Sequence, residues 1–477
     1  MSEKGSRSLS GLAWQRLKKD RLAMFGLWVI GAVMLVAFLG GLIRPDSTPN
    51  ANQQILNFKD LRPGSKMEVL LVRKNQHIEP TPFYKYFFFG GGVNEDRAVA
   101  MYALHFRKGK AIVEEYNGRN EVVEGKLITL ELPDIIYPLV YGSKVEHLDD
   151  GSVRFEVIDE GVVEMPIKDL QRIIETERIE ERRFVLGTDN FGRDLLSRLM
   201  AGSMVSLSVG AISVIISLII GIFLGAIAGY FRAMPPTISR VELFIWLLSI
   251  AVGIILTSQI HDPSSFRFRW AFLLGAAIAG VLIFILKRLF ASSIRGSTKH
   301  VKLPVDDVIM WFINVVWSIP TLLLVIAITL ALGKGFVQVF IAVGLTMWVE
   351  VARVVRGQVL SLREKEFVEA GRALGFSPGR IIFRHILPNA MGPVIVISAA
   401  NFASAILIEA GLSFLGIGTQ IPMASWGGMI KTYYPYITTD LPHLAVLPGA
   451  CIVLLVLAFM LVGNGLRDAL DVKTVDG

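Results

Sequence analysis

The sequence predicts an all-α polytopic membrane protein of about eight spans, with a mostly-β segment inserted after the first span. Three observations predict it. The chain of 477 residues is 53% hydrophobic and 19% charged, with a mean hydropathy of +0.54, which is too apolar for a soluble protein of this size. Uncharged runs long enough to cross a bilayer recur along it, beginning with Leu22 to Ile43. Between Asp46 and Arg183 the pattern changes, and short apolar runs alternate with charge.

Residues 1–45 form the first block. Lys4, Arg7, Arg16, Lys18, Lys19 and Arg21 precede the first apolar run. They hold the N-terminus in the cytoplasm by the positive-inside rule. The run lacks a small-residue cleavage site and is long enough to stay in the membrane, so no cleavable signal peptide is expected. Arg44-Pro45-Asp46 ends it.

Residues 46–183 read as an extracytoplasmic, mostly-β domain. Met67 to Val72, Ala98 to Phe106, Ala111 to Glu115, Leu127 to Leu132, Val153 to Ile158 and Val162 to Met165 have strand character. Gly109, Asn117-Gly118 and Asp149-Asp150-Gly151 mark turns. Asp169 to Glu181 reads as a charge-laced helix leading back to the membrane. The aromatic run Phe83 to Phe89, before Gly90-Gly91-Gly92, suits core or membrane interface, with a ligand platform as the other reading. The segment holds 19 Lys+Arg against 24 Asp+Glu. The positive excess therefore lies in the rest of the chain, as expected for loops beside anionic lipid.

Residues 184–232 hold a polar block, Leu186 to Ser197, and the second span, Met204 to Tyr230. Gly221, Gly225 and Gly229 are spaced by four, which permits close helix packing. Residues 233–304 contain two further apolar runs, Leu243 to Leu256 and Trp270 to Leu286. They read as an inserted transmembrane hairpin, or as a re-entrant or interfacial pair, since both are short. Parity favours the hairpin: two extra spans return the chain to the cytoplasm.

Residues 305–472 carry the remaining spans. Val308 to Leu332 goes outward and should kink at Pro320. Phe336 to Val349 returns to Glu350, which is placed to pair with Arg353 or Arg356. Ala390 to Leu415 carries Asn401 and Glu409, and Leu444 to Val462 is the last span. Between two of these spans, 353–390 is a loop with Arg353, Arg356, Arg363, Lys365, Arg372 and Arg380, hence cytoplasmic. It reads as two short helices around a corner. Phe367, Ala370 and Leu374 share one face. Gly375 is fit to be the left-handed residue ending the first helix, Ser377 the N-cap of the second, and Pro378 its first residue.

Several chemistries are absent from the sequence. Cys451 stands alone inside an apolar run, and the seven histidines are scattered, so neither a disulfide nor a metal site is expected. No G-x-x-x-x-G-K-[ST] loop occurs, so the chain is expected to bind no ATP and need no cofactor of its own. No catalytic constellation stands out, and no nucleic-acid partner is expected.

The loop resembles the signature loop of ABC importer permeases, which reads E-A-A, three residues, G, nine residues, I-x-L-P. Here Glu369, Ala370 and Gly371 fill the first three places, with Gly for the second Ala. Gly375 is the fixed glycine, and His385-Ile386-Leu387-Pro388 closes the motif, with His where the pattern has Ile. The R-H-I-L-P-N ending is similar to the oligopeptide, dipeptide and nickel branch. So are L-G-T-D-N-F-G-R-D at 186–194, E-A-G-L-S-F-L-G from Glu409, Ser425-Trp426-Gly427, and the N-G-L-R-D-A-L-D ending from Asn464.

The resemblance implies the type I permease fold and a transport role without covalent chemistry. Such a chain forms half of a pore with a second, related permease in the bacterial inner membrane, both termini inside. Two cytoplasmic ATPase subunits dock on the signature loops, where Glu369, Ala370, Gly371, Gly375, Leu387 and Pro388 would act. An extracytoplasmic binding protein delivers substrate, here a di- or oligopeptide. A metal-chelate cargo such as nickel is the alternative, and a non-transporting receptor or scaffold is a more distant one. Asp189, Arg193 and Asp194 are expected to pair as a staple at the membrane interface, with substrate contact along the pathway as the other reading. Glu409, ionisable within a span, stands between structural pairing and pathway lining.

Overall fold

The structure is a computed structural model that describes residues 9–79, 81–82, 91–118, 125–239, 300–333, 335–420 and 422–470. The aromatic run Phe83 to Phe89 and the two expected hairpin runs lie outside the described residues. The chain divides into two compact units: Met1–Ile219, Ile319–Trp348 and Gly392–Gly477 form one, and Ile220–Ser318 with Val349–Met391 the other.

The chain opens with α1 (Leu9–Leu17) and α2 (Arg21–Ile43). Asp20 caps α2, its carboxylate accepting the Leu22 and Ala23 amides at 2.9 and 3.2 Å, which satisfies two orphan donors of the first turn. Strands follow: β1 (Ser65–Arg73), β2 (Asp96–Arg107), β3 (Lys110–Glu115) and β4 (Leu127–Glu131). Lys108 and Gly109, both with positive φ, form the two-residue turn joining β2 to β3, the geometry that matches strand twist. Helix α3 (Leu132–Ile136) leads to β5 (Glu146–His147), β6 (Ser152–Val157) and β7 (Gly161–Pro166). Then come α4 (Ile167–Ile173), a wide turn at Ile174–Arg178, and β8 (Ile179–Phe184).

The charged helix expected over Asp169 to Glu181 is therefore shorter, and its last residues are strand. Their register explains why: β8 runs antiparallel along β1, from Ser65 opposite Phe184 to Leu70 opposite Ile179. A free strand edge needed a partner, and that need outweighed local helix preference. The result is a five-stranded sheet, β4-β3-β2-β1-β8, and a three-stranded sheet, β5-β6-β7. The larger sheet is buried on both faces near β1. Leu70, Val72, Val99 and Met101 meet the smaller sheet and α3 in one core. Val69 and Ala100 meet Ile55 and Phe58 of the preceding linker in another.

The remaining helices are α5 (Leu195–Phe231), α6 (Val305–Ser318), α7 (Thr321–Leu332), α8 (Phe336–Leu362), α9 (Glu366–Ala373), α10 (Pro378–Arg380), α11 (Leu387–Leu415), α12 (Trp426–Tyr433) and α13 (His443–Leu470). Five described helices are long and apolar enough to cross a membrane: α2, α5, α8, the run Pro378–Leu415 and α13. The protein is thus a mostly helical, multi-pass membrane protein. The run expected as one kinked span, Val308 to Leu332, is broken. Helix α6 ends at Ser318, and Pro320 caps a new helix. Proline lacks the N–H and excludes helical geometry from Ile319 before it. Strands β9 (Thr237–Ser239) and β10 (His300–Lys302) pair antiparallel, so both ends of residues 240–299 meet.

In the first unit, helix packing rests on small residues. A Cβ on Gly26 would lie 2.7 Å from the Ala458 carbonyl, and one on Gly465 2.4 Å from the Ala23 Cβ. Helices α2 and α13 therefore touch backbone to backbone. Helix α12 is wedged in the same way, its Gly427 against the Ala410 carbonyl and its Trp426 ring against Gly202.

The linker from Arg44 to Leu61 lies between the larger sheet and the start of α5. Phe58 is fully buried, with Tyr116 and Phe184 edge-on to its ring at 5.7 Å each. At the α5 end, Asp194 accepts from the Ser197 amide at 2.8 Å and from its hydroxyl, and that hydroxyl accepts the Asp46 amide at 2.9 Å. The other Asp194 oxygen is buried without a partner. Burial, with the Asp46 charge nearby, pushes the Asp194 carboxyl above its ordinary value of 3.8.

Two outcomes follow for stability. Phe58→Ala should cost about 3–5 kcal/mol, seen as faster proteolysis between Ser65 and Phe184 in the solubilised protein, while Phe58→Leu costs much less. The Asp194 contribution is fully present below pH 3.8 and is lost as pH rises through the raised folded value. Asp194→Asn should remove that loss. Thermal unfolding of the mutant relative to the native chain should shift upward between pH 4 and pH 7; a constant difference across that range would refute the assignment.

Candidate functional site

The site begins with α9. Glu366 and Glu369 occupy its first turn and Arg372 its last, charges that complement the helix dipole at both ends. Its end is closed by backbone alone. Gly375 has φ +76°, a conformation that costs a side-chain-bearing residue roughly 1–2 kcal/mol. Its amide reaches the Arg372 carbonyl at 2.9 Å, and the Phe376 amide reaches Gly371 at 3.0 Å. This is the paired bonding of a Schellman end. Ser377 then caps α10, accepting the Arg380 amide at 3.4 Å, with Pro378 as first residue. The corner is the one read from the sequence.

The second half of the elbow differs from the expectation of a short helix. Helix α10 passes through a wide turn, Ile381–Ile386, straight into α11. Pro388 explains the wide turn. It has no N–H, and its ring would strike the carbonyl four residues back in a regular helix. The wide turn shifts that register, with the Leu387 amide bonding five back to Ile382. The Asn389 side chain donates to the His385 carbonyl at 2.7 Å.

Phe376, which nothing local in the sequence marks, locks the elbow. Its ring stacks on His385 with centroids 5.6 Å apart, and the Arg380 guanidinium lies 3.9 Å from it. It also covers Gly371, where a Cβ would come within 3.3 Å. That contact gives a reason for glycine at 371. Val368, Gly371, Ile381, Ile382 and Ile386 face inward. Phe367, Leu374 and Phe383 remain 42%, 73% and 60% exposed, beside exposed Glu369 and Ala370. Leu387 is buried and Pro388 exposed. Phe367 and Leu374 on α9 and Phe383 in the wide turn are thus exposed apolar side chains close together along the elbow.

The same unit ties the elbow's surroundings together with arginines. Arg356 holds Asp306 with two bonds of 2.6 and 2.7 Å, a geometry that arginine favours with carboxylates. Arg353 lies 4.0 Å over the Trp317 ring and bonds Asn314 at 3.4 Å. The pairing of Glu350 with Arg353 or Arg356 is thus replaced by more rigid partners on α6. Arg363 reaches the Gly229 carbonyl at 3.4 Å, and Arg372 lies 5.7 Å over Tyr230. Gly225 and Gly229 abut Ala352 and Val359, as their four-residue spacing predicts.

In the other unit, the residues of the 186–194 block separate. Asp189 and Arg193 meet at 2.6 Å, both buried. Asp194 turns instead to Ser197. Sequence reasoning missed the third member: the Tyr433 hydroxyl donates to Asp189 at 2.6 Å across 244 residues. Burial, more than the nearby Asp189 charge, pushes the Tyr433 phenol well above its ordinary value. Glu409 is fully enclosed, accepting the Ser413 hydroxyl at 2.7 Å, and Asn401 is also buried.

Comparison with known proteins adds the family. The profile described as binding-protein-dependent transport system inner membrane component matches residues 289–475. That of the N-terminal TM domain of oligopeptide transport permease C matches 8–63. The oligopeptide transport system permease protein OppC of Bacillus subtilis (strain 168) is 31% identical over 287 residues, covering 60% of this chain and 71% of that protein. The dipeptide transport system permease protein DppC of Alkalihalophilus pseudofirmus is 34% identical, with the same coverage. The di/tripeptide permease DppC of Pseudomonas aeruginosa is 34% identical over 293 residues, 61% of this chain and 73% of that one. A solved inward-facing MetNI methionine ABC transporter chain matches at a TM-score of 0.35 and 16% identity, over 58% of this chain and 96% of that one. With its signature elbow and its match to more than two thirds of these permeases, the chain belongs to the family of binding-protein-dependent transport inner membrane components, in its ABC peptide permease branch.

Proposed function

We propose that the chain forms half of the pore of an ATP-driven importer of di- or oligopeptides. It is coupled to separate ATPase subunits through the elbow from Glu369 to Pro388. The observation that carries this is the exposed apolar surface of Phe367, Leu374 and Phe383 on a corner held rigid by its own backbone. A stiff knob of that kind is what a moving partner grips. ATP would be bound by the partner subunits, and a second, related permease would complete the pore. Peptide as cargo is supported by the names of the relatives, which speak of oligopeptides and dipeptides. A metal chelate gains no such support.

The finer architecture is part of the same reading. Residues 46–183 would stand outside the membrane, near an extracytoplasmic binding protein, with both termini inside. Residues 233–304 would add two spans to reach eight. The pairing of β9 with β10 supports a self-contained insertion, because it starts and ends at one place. Asp189, Arg193 and Asp194 would tie segments together rather than line the pathway, as would Glu409, whose enclosure speaks against a place in it.

Glu369→Lys and Gly375→Pro test the coupling role. Proline cannot adopt the φ of +76° at 375, and the lysine reverses an exposed charge on the docking face. Both chains should insert and pair with the second permease. Co-purification of the ATPases and peptide uptake should fall roughly tenfold or more, since 1.4 kcal/mol of lost docking already gives tenfold. Normal uptake in both would refute the coupling role.

A further inference from the structure

The block L-G-T-D-N-F-G-R-D has no task in the coupling elbow, and its hub is a saturated carboxylate. Asp189 is fully buried. One of its oxygens accepts the Phe191 and Arg193 amides at 2.8 and 2.9 Å. The other accepts Arg193 Nε and the Tyr433 hydroxyl, both at 2.6 Å. Four donors fill the lone-pair sites of a carboxylate. The Asp189 carbonyl meanwhile takes the Asp60 amide at 3.1 Å. Arg193 also reaches the Asn52 side chain at 3.2 Å, and Arg198 the Ala51 carbonyl at 3.3 Å.

Helix α12 is therefore pinned at both ends to one stretch of chain. At its start, Trp426 Nε1 donates to the Leu199 carbonyl at 2.9 Å, and the indole lies on Gly202. At its end, Tyr433 donates to Asp189. Three segments far apart in sequence, 44–61, 186–199 and 426–436, are joined into one plate by buried polar bonds. In chain order, α11 leads from the elbow to the turn before α12.

Resting on the importer reading, we propose that Tyr433 and Asp189 are positioning residues of the transport cycle. They tie α12 to the start of α5, so that a displacement entering α11 moves the outer plate as a unit. Neither touches substrate. Breaking the tie uncouples ATP hydrolysis from uptake and leaves assembly intact.

The test uses the full complex with its co-purifying permease, ATPases and binding protein, in proteoliposomes, with labelled tri-alanine as probe. Tyr433→Phe removes one hydrogen bond and keeps the ring. The expected result is unchanged assembly and basal ATP hydrolysis, an unchanged KM for tri-alanine, and a roughly tenfold fall in peptide imported per ATP, the consequence of losing one bond to a buried charge. Trp426→Phe, which cuts the other pin, should lower the same ratio. Tyr434→Phe, on the neighbouring exposed tyrosine, should not. A normal ratio in both pin mutants overturns the proposal. So does failure of both to assemble, which would make the bonds purely structural; if only one fails, the ratio of the other decides. A native complex that imports no tri-alanine and shows no ATPase stimulation by any short peptide would count against the importer reading itself.

Discussion

Helices in a bilayer gain little by hiding apolar surface from lipid, because lipid tails are as apolar as leucine. Their association depends on how closely backbones approach. That constraint governs both units of this protein. Helices α2 and α13 meet at Gly26 and Gly465, where any side chain would sit within 2.7 Å of the partner. The 225–229 end of α5 meets α8 through Gly225 and Gly229 in the same way. Once backbones are this close, dispersion contacts are dense, and one added methyl group displaces a helix.

Close approach also traps polar groups, and their treatment divides the protein. A buried charge is tolerable only when paired and fully hydrogen-bonded. Asp189 meets that standard with four donors, and Asp306 with a two-pronged arginine. Both join segments far apart in sequence. Asp194 and Glu409 do not meet it, each keeping one buried oxygen without a partner. The saturated acids hold fixed joints; the unsaturated ones sit at the start of α5 and near the end of α11, next to turns.

Much of this was legible in the chain. The strands, the Lys108-Gly109 turn and the Gly375–Pro378 corner depend on local chemistry within a few residues, so they could be read. Most of what was not legible depends on contacts far away in sequence. Strand β8 was lost because its pairing with β1 lies over a hundred residues away. Tyr433 was lost because three tyrosines stand within four positions, and nothing local tells which one meets Asp189. Phe376 carries no local sign of its role, because the His385 that stacks on it is brought there by the wide turn before Pro388. At Pro320 the expected kink is a 93° bend between α6 and α7, sharpened by the pre-proline restriction on Ile319.

The coupling role proposed for the elbow demands stiffness rather than reactive groups. A loop that bends under load loses the displacement it should pass on. Stiffness here comes from bonds that cost little to keep. The helix end is closed by two backbone bonds, the next start by one serine, and the gap by an aromatic ring between an arginine and a histidine. None of these needs another chain to form, so the proposed docking would lose little ordering entropy. In the proposed docking, the exposed Phe367, Leu374 and Phe383 would bring their full burial to the partner. The corner's shape is thus set by its own backbone and ring contacts, and its exposed apolar side chains stand on a surface that needs no rearrangement to take up the proposed docking role.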